Sequence, residues 1–112
     1  MSIEHSFDTE VLRVVVNEDH NGLIPEVNQP TGVSSEEVTQ FMIMYDRASQ
    51  GFSWRILDAK MMHELAIAVE NKARSIIGLK IEHEFNETLM VLKFFWAGWE
   101  SERAKQDAWN RI

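Results

Sequence analysis

Residues 91–103 read VLKFFWAGWESER, an apolar and aromatic run that changes abruptly to charged residues. Apolar side chains recur at helical spacing from Leu89 to Trp99, and further apolar residues fill the directions between them. A helix that is apolar on nearly every side must be buried on nearly every side. We therefore predict a final helix from about residue 87 to residue 110, capped by Asn86 and shielded by the rest of the chain or by a second copy.

The N-terminal part of the chain has the pattern of a β-hairpin. VLRVVV, residues 11–16, is apolar and β-branched, and the polar stretch after it contains an Asn-Gly pair. LIPEV, residues 23–27, would return as an edge strand, where Pro25 is tolerated. A loop over residues 28–32 then follows from its turn-forming residues.

Two helices are predicted in the middle of the chain. Ser34 and Glu37 have the spacing of a capping box, and the apolar residues after them predict an amphipathic helix over residues 35–50, ended by Gly51. A second helix would begin at Ser53 and end near Gly78. Its expected buried stripe is Trp54, Leu57, Met61, Leu65, Ala68 or Val69, and Ile76.

The stretch LKIEHEF, residues 79–85, alternates apolar and polar side chains as a half-buried strand does, although it could also be the end of a long helix. The chain has 112 residues and 45% hydrophobic content, which suits a single domain over residues 1–112. The predicted fold class is α+β, mostly helical, with about three helices and a small N-terminal β-hairpin.

Charge is distributed unevenly along the chain. Residues 1–46 hold nine acidic side chains and one basic side chain, whereas residues 47–112 hold nine acidic and ten basic side chains. An acidic half repels nucleic acid and attracts a basic protein surface. The alternative is that these charges only keep the protein soluble.

Motifs for catalysis and cofactor binding are absent from the sequence. The string His63-Glu64-Leu65-Ala66-Ile67 begins like a zinc-protease motif, but Ile67 stands where the second histidine is needed. Glu82, His83, Glu84 and Glu87 are metal-capable, yet on a strand they would not converge on one ion. There is no cysteine, no G-x-S-x-G and no glycine-rich phosphate loop. We expect no enzyme activity, no cofactor, no metal site and no direct nucleic-acid binding.

The run FFWAGWESERAKQDAW resembles the closing helix of small bacteriophage and prophage accessory proteins through Trp96, Trp99, Arg103 and Ala104. This resemblance implies a viral or mobile-element origin and a protein that blocks a host protein, for example one in defence or nucleic-acid handling, in the bacterial cytoplasm. The N-terminus has neither a basic segment nor an apolar run, and no stretch is apolar enough to span a membrane, so we also expect a cytoplasmic protein without membrane contact.

The functional prediction is a small acidic, non-enzymatic interaction protein that binds a protein partner with a basic surface. One alternative is a homo-oligomer, expected to be a dimer, in which the final helix packs on its copy. Another is a small-ligand binding protein that stacks a planar ligand on Trp54, Trp96 or Trp99. The residues predicted to form the interface are Phe95, Trp96, Trp99, Arg103, Trp109, Glu36 and Glu37.

Overall fold

The computed structural model describes residues 9–17, 22–52 and 58–110. In this part of the chain four strands and three helices follow one another. They are β1 (Glu10–Asn17), β2 (Gly22–Val27), α1 (Ser35–Ser49), α2 (Ala59–Ile77), β3 (Leu79–Asn86), β4 (Val91–Trp99) and α3 (Glu102–Trp109). The fold is α+β, but the prediction that it is mostly helical is wrong, because the hairpin is half of a four-stranded sheet.

The four strands form one antiparallel sheet in the order β2-β1-β4-β3. The predicted hairpin is confirmed as β1 and β2, and β3 confirms the strand interpretation of residues 79–85. The register shifts once between β1 and β4, at Glu10/Leu12, and once between β3 and β4, at Lys80/Ile81. Each shift is the mark of a β-bulge, which bends the strand that carries the extra residue.

The predicted helix over residues 87–110 is wrong in its first half. Asn86 does accept a hydrogen bond from the amide three residues on, since its Oδ1 lies 3.0 Å from Leu89 N. That bond is common to helix caps and to turns. Met90 then takes a left-handed conformation with φ 52°, so the chain reverses and returns as the central strand β4. Only α3 of the predicted helix is helical.

The hydrophobic core lies between the sheet and the helices α1 and α2. Phe94 of β4 is fully buried and faces the helices, with its ring centroid 5.9 Å from that of Phe41 and 6.3 Å from that of Tyr45. Leu92, two residues earlier on the same face, is also fully buried. Phe95, on the opposite face of β4, is buried as well, at 4% exposed. Aromatic side chains of this run therefore lie on both faces of β4, which is an inner strand paired with β1 along one edge and with β3 along the other.

The helix α1 begins as the sequence predicts. The Ser34 side chain accepts from Glu37 N, and the Glu37 carboxylate accepts from Ser34 N, so both halves of the capping box are present. Helix α2 is capped by Asp58, whose Oδ1 accepts from Met61 N at 2.8 Å. The predicted cap Ser53 and the predicted buried residues Trp54 and Leu57 lie outside the described residues.

Gly78 ends α2, as predicted, and the structure shows it in a left-handed conformation with φ 67°. The carbonyl of Gly78 accepts from Glu100 N at 2.8 Å, which ties the end of α2 to the start of the α3 segment. A Cβ atom on Gly78 would lie 2.7 Å from Ala104 Cβ. Glycine is therefore required here both for the backbone conformation and for the close approach of α3.

None of the helices in the described ranges has the length and apolar character needed to cross a membrane. The predicted need for a second copy depended on a final helix that was apolar all round. Residues 91–95 instead lie between β1 and β3, and Trp96 and Trp99, which pair with β3, are half-buried against the core of their own chain. That reason for predicting a homo-oligomer is removed.

Candidate interaction surface

The structure connects three of the predicted interface residues through the carboxylate of Glu37. Glu37 is only 7% exposed, and its Oε2 accepts a hydrogen bond of 2.7 Å from the indole Nε1 of Trp99. Its Oε1 accepts from the backbone amide of Ser34 at 3.2 Å. The ring centroids of Trp99 and Trp96 lie 5.7 Å apart in an edge-to-face arrangement. Trp96, Trp99 and Glu37, which we call the indole–carboxylate cluster, thus join β4 to the start of α1.

The environment of Glu37 keeps its carboxylate charged. Burial disfavours the charged form and would by itself raise the pKa of Glu37. The hydrogen bonds from the Trp99 indole and from Ser34, together with the positive charge of Lys105 on α3, outweigh burial, so the pKa of Glu37 is lowered. Glu37 is therefore an internal structural anion, and the prediction that it offers charge to a partner does not suit its position.

A second contact fixes α3 against α1. The side chain of Gln40 is 4% exposed, and its Nε2 donates a hydrogen bond of 2.6 Å to the carbonyl of Ala108. Ala108 itself is 2% exposed. Trp109 is the next residue, in the last turn of α3, and it is 37% exposed. The helix is thus anchored by Ala108 while the neighbouring indole is presented to solvent.

Glu36 lies on α1, one helical turn before the residue that anchors α3. It precedes Gln40 by four residues on α1, which places the two side chains on the same side of the helix, one turn apart. Glu36 is exposed. Trp109 follows Ala108 in sequence and Glu36 lies one turn before Gln40, so each adjoins one partner of the Gln40–Ala108 contact; the two residues are together called the Trp109 surface below.

The remaining predicted interface residues differ in how exposed their side chains are. Arg103 is exposed on α3, whereas Phe95 is buried in the sheet and is not available to a partner. Trp96 and Trp99 lie on β4, so the resemblance to a closing helix is lost for these two residues, and only Arg103 and Ala104 are helical. The exposed members of the predicted set are Glu36, Arg103 and Trp109.

In the described part of the acidic half, two of the five acidic side chains are engaged within the protein. Glu10 is bound by Arg13, with Nε 2.9 Å from Oε1, and Glu37 is internal. Four more of the nine acids lie outside the described residues. Glu26, Glu36 and Asp46 are the exposed members in the described part of this half.

The histidines of α2 and β3 make structural contacts. His63 packs on Phe85 with ring centroids 5.0 Å apart, and His83 Nδ1 is hydrogen-bonded to Glu70. Glu82 and Glu84 lie on the opposite face of β3 from His83. Within residues 9–17, 22–52 and 58–110, no group of three or more histidine or carboxylate side chains could hold a metal ion.

Sequence reasoning missed Gln40 and Glu70, both of which have long-range partners. Gln40 follows Glu37 by three residues and precedes Met44 by four, so it lies on the buried face of α1. A polar residue at an apolar position indicates a buried hydrogen bond, and this signal could have identified Gln40. Glu70 lies on the side of α2 that faces β3, and no comparable sequence signal indicates its hydrogen bond.

The chain matches no protein-family model, no curated protein and no solved structure.

Proposed function

We propose that this chain is a non-enzymatic interaction protein that binds the basic surface of a protein partner through the Trp109 surface. The observation that carries the proposal is the presentation of Trp109, which is 37% exposed directly after the buried, hydrogen-bonded Ala108. Tryptophan is enriched among the residues that contribute most to binding. An indole on an anchored turn loses less conformational freedom on binding than one on a mobile segment.

The charge of the surface indicates the kind of partner. Glu36 is exposed in the first turn of α1, and the chain as a whole has a formal charge of −7. Long-range attraction of a basic protein would accelerate association, and salt would weaken it. The same charge disfavours binding to a nucleic-acid backbone.

The described side chains with unusual environments have structural explanations. Burial and the neighbouring Asp46 raise the pKa of Tyr45 to about 12, so this phenol stays protonated at neutral pH. Glu37 serves the cap of α1 and the Trp99 indole. These roles support a binding protein over an enzyme that would use either group as a base.

The test is affinity capture from a bacterial lysate with the natural chain and three variants. Trp109→Ala and Glu36→Lys should each reduce the captured partner, and Leu89→Ala should not. Leu89 is a matched control because it is 68% exposed in the β3–β4 turn. Capture that is equal for all four proteins, or that does not weaken with added salt, would contradict the proposal.

The charge-reversal test should use Glu36 alone. Reversing Glu37 as well would place a lysine where a buried carboxylate accepts from Trp99 and Ser34, so it would damage the fold. Loss of binding in such a double variant would carry no information about the surface.

A further inference from the structure

The two outer strands of the sheet differ in how they could accept another strand. On β2, Asn28 N donates to Val11 O at 3.0 Å, so the amides of residues 26 and 24 also point toward β1. Position 25 therefore faces away from the sheet, and it is occupied by Pro25, which has no amide hydrogen. A proline at an outward position blocks strand addition at this edge.

The strand at the other end of the sheet, β3, contains no proline. Among the described residues β3 pairs with β4 alone. Its register shift at Lys80/Ile81 is local, and the pairing from Ile81 to Asn86 is regular. A regular edge strand offers a row of backbone donors and acceptors to an extended segment.

Contacts with α2 hold β3 in position. His63 packs on Phe85, and Glu70 is hydrogen-bonded to His83. Two residues of α2 therefore contact the side of β3 that faces the helix. Ile67 lies between these two residues in the sequence, four after His63 and three before Glu70, and therefore on the same side of α2. Ile67 is nevertheless 52% exposed. Ile67 is therefore an exposed apolar residue on the side of α2 that contacts β3.

A groove extends along the same edge. It has a volume of about 140 Å³ and is lined by α2 and the first half of β3, through Glu70, Asn71, Arg74, Leu79, Lys80 and Ile81. On the opposite face of β3, Glu84 is exposed, and Glu87 is exposed in the turn that follows. The helix side of this edge therefore combines the exposed Ile67 and the half-buried Phe85 with a polar groove, and the other side carries Glu84, which lies opposite Lys93 of β4.

We propose that the β3 edge binds an extended segment of a partner protein by strand addition. The segment alternates in character: its apolar side chains cover Ile67 and Phe85, and a lysine or arginine lies opposite Glu84. Opposite charges on neighbouring strands stabilise pairing, and alternation follows from the two faces of a strand. This is a second surface, distinct from the Trp109 surface.

The probe is the peptide acetyl-Thr-Val-Lys-Val-Lys-Val-Thr-amide, titrated into the isotope-labelled full chain and followed by amide chemical shifts. The largest shifts should fall on residues 79–86 and on the amide of Ile67. A peptide with glutamate in place of lysine, and one with alternate amides methylated, should each bind at least about tenfold more weakly.

Two pairs of variants test the contacts. Ile67→Asp and Glu84→Lys should weaken binding of the lysine peptide by about tenfold. Their matched controls, Ile43→Asp on α1 and Glu26→Lys on the blocked edge strand, change exposed side chains of the same kind and should bind as the natural chain does. Thermal melting checks that all four variants remain folded.

Trp109→Ala should leave peptide binding unchanged, which separates this proposal from the proposed function. The strand-addition proposal is overturned by peptide binding that ignores Ile67→Asp and Glu84→Lys, by equal binding of the glutamate peptide, or by shifts centred on β2. It is also overturned if the β3 edge proves to be occupied by a second copy, seen as a larger particle in sedimentation that Ile67→Asp dissociates.

Discussion

The hydrogen bond from Trp99 to Glu37 gives the sharpest prediction about stability. Trp99→Phe keeps an aromatic ring but removes the indole N–H, so Oε2 of Glu37 loses the donor that lies 2.7 Å away. Glu37 is 7% exposed, so water replaces that donor poorly. Removing a hydrogen bond to a charged group costs about 1.5–3 kcal/mol. With the smaller ring included, we expect the free energy of unfolding at neutral pH to fall by about 2–4 kcal/mol.

The same bond makes a prediction about pH. The pKa of Glu37 is lowered from its ordinary value of 4.5, so its stabilising contribution is present above that value and is lost as the pH falls through the folded-state pKa. In Trp99→Phe burial still opposes the charge, but one of the bonds that lower the pKa is gone. The stability difference between the natural chain and the variant should therefore be largest near neutral pH and shrink as the pH falls below 4.5.

Urea unfolding followed by far-UV circular dichroism measures both effects, because this signal does not depend on the indole that is removed. Glu37→Gln and the double variant complete a cycle, in which we expect a coupling energy of about 1–2 kcal/mol between positions 37 and 99. Trp109→Phe is the matched control on an exposed indole and should change stability by less than about 0.5 kcal/mol. The reasoning is refuted if Trp99→Phe behaves like this control, or if its cost is independent of pH.

Three further outcomes are expected. Gly78→Ala should lower the free energy of unfolding by about 2 kcal/mol in urea titrations, because φ is 67° and the new Cβ would lie 2.7 Å from Ala104 Cβ; an unchanged midpoint would contradict this. Pro25→Val should open the β2 edge and increase the sedimentation coefficient with concentration, whereas identical sedimentation would show that proline does not protect this edge. Gln40→Met should leave the carbonyl of Ala108 without its donor and cost about 1–3 kcal/mol, with faster amide exchange in α3 if the contact anchors that helix.

Short-range sequence patterns were sufficient to predict the elements whose caps and buried faces are formed by residues close together in the sequence. The capping box of Ser34 and Glu37 and the apolar residues after it place α1, and the left-handed Gly78 ends α2. The alternation over residues 79–85 gives β3. In each of these segments one side contacts the core and the other contacts solvent, so the period of the sequence shows the secondary structure.

The same reasoning failed where both sides of an element are covered. In β4, Leu92 and Phe94 face the helices, while Phe95 is buried on the other side, so Lys93 is the one polar residue that marks the strand period there. Asn86 added a misleading signal, because its bond to Leu89 N is the one that a helix cap makes. Pairing decides the outcome: β4 pairs with the neighbouring β3 in a hairpin and with β1, which is remote in sequence.

In the candidate site, the sequence likewise indicated which residues matter but not which of them contact each other. The sequence identified Trp99 and Glu37 as important, but it could not show that they bind each other, because 62 residues separate them. Since the Glu37 carboxylate is also near Lys105 of α3, the indole–carboxylate cluster connects β4, α1 and the helix that presents Trp109. A substitution at Trp99 should therefore weaken partner binding at Trp109 without touching the partner. If Trp99→Phe lowers the free energy of unfolding and the free energy of partner binding by equal amounts, the loss of affinity follows this indirect route. Trp109→Ala should lower the affinity alone.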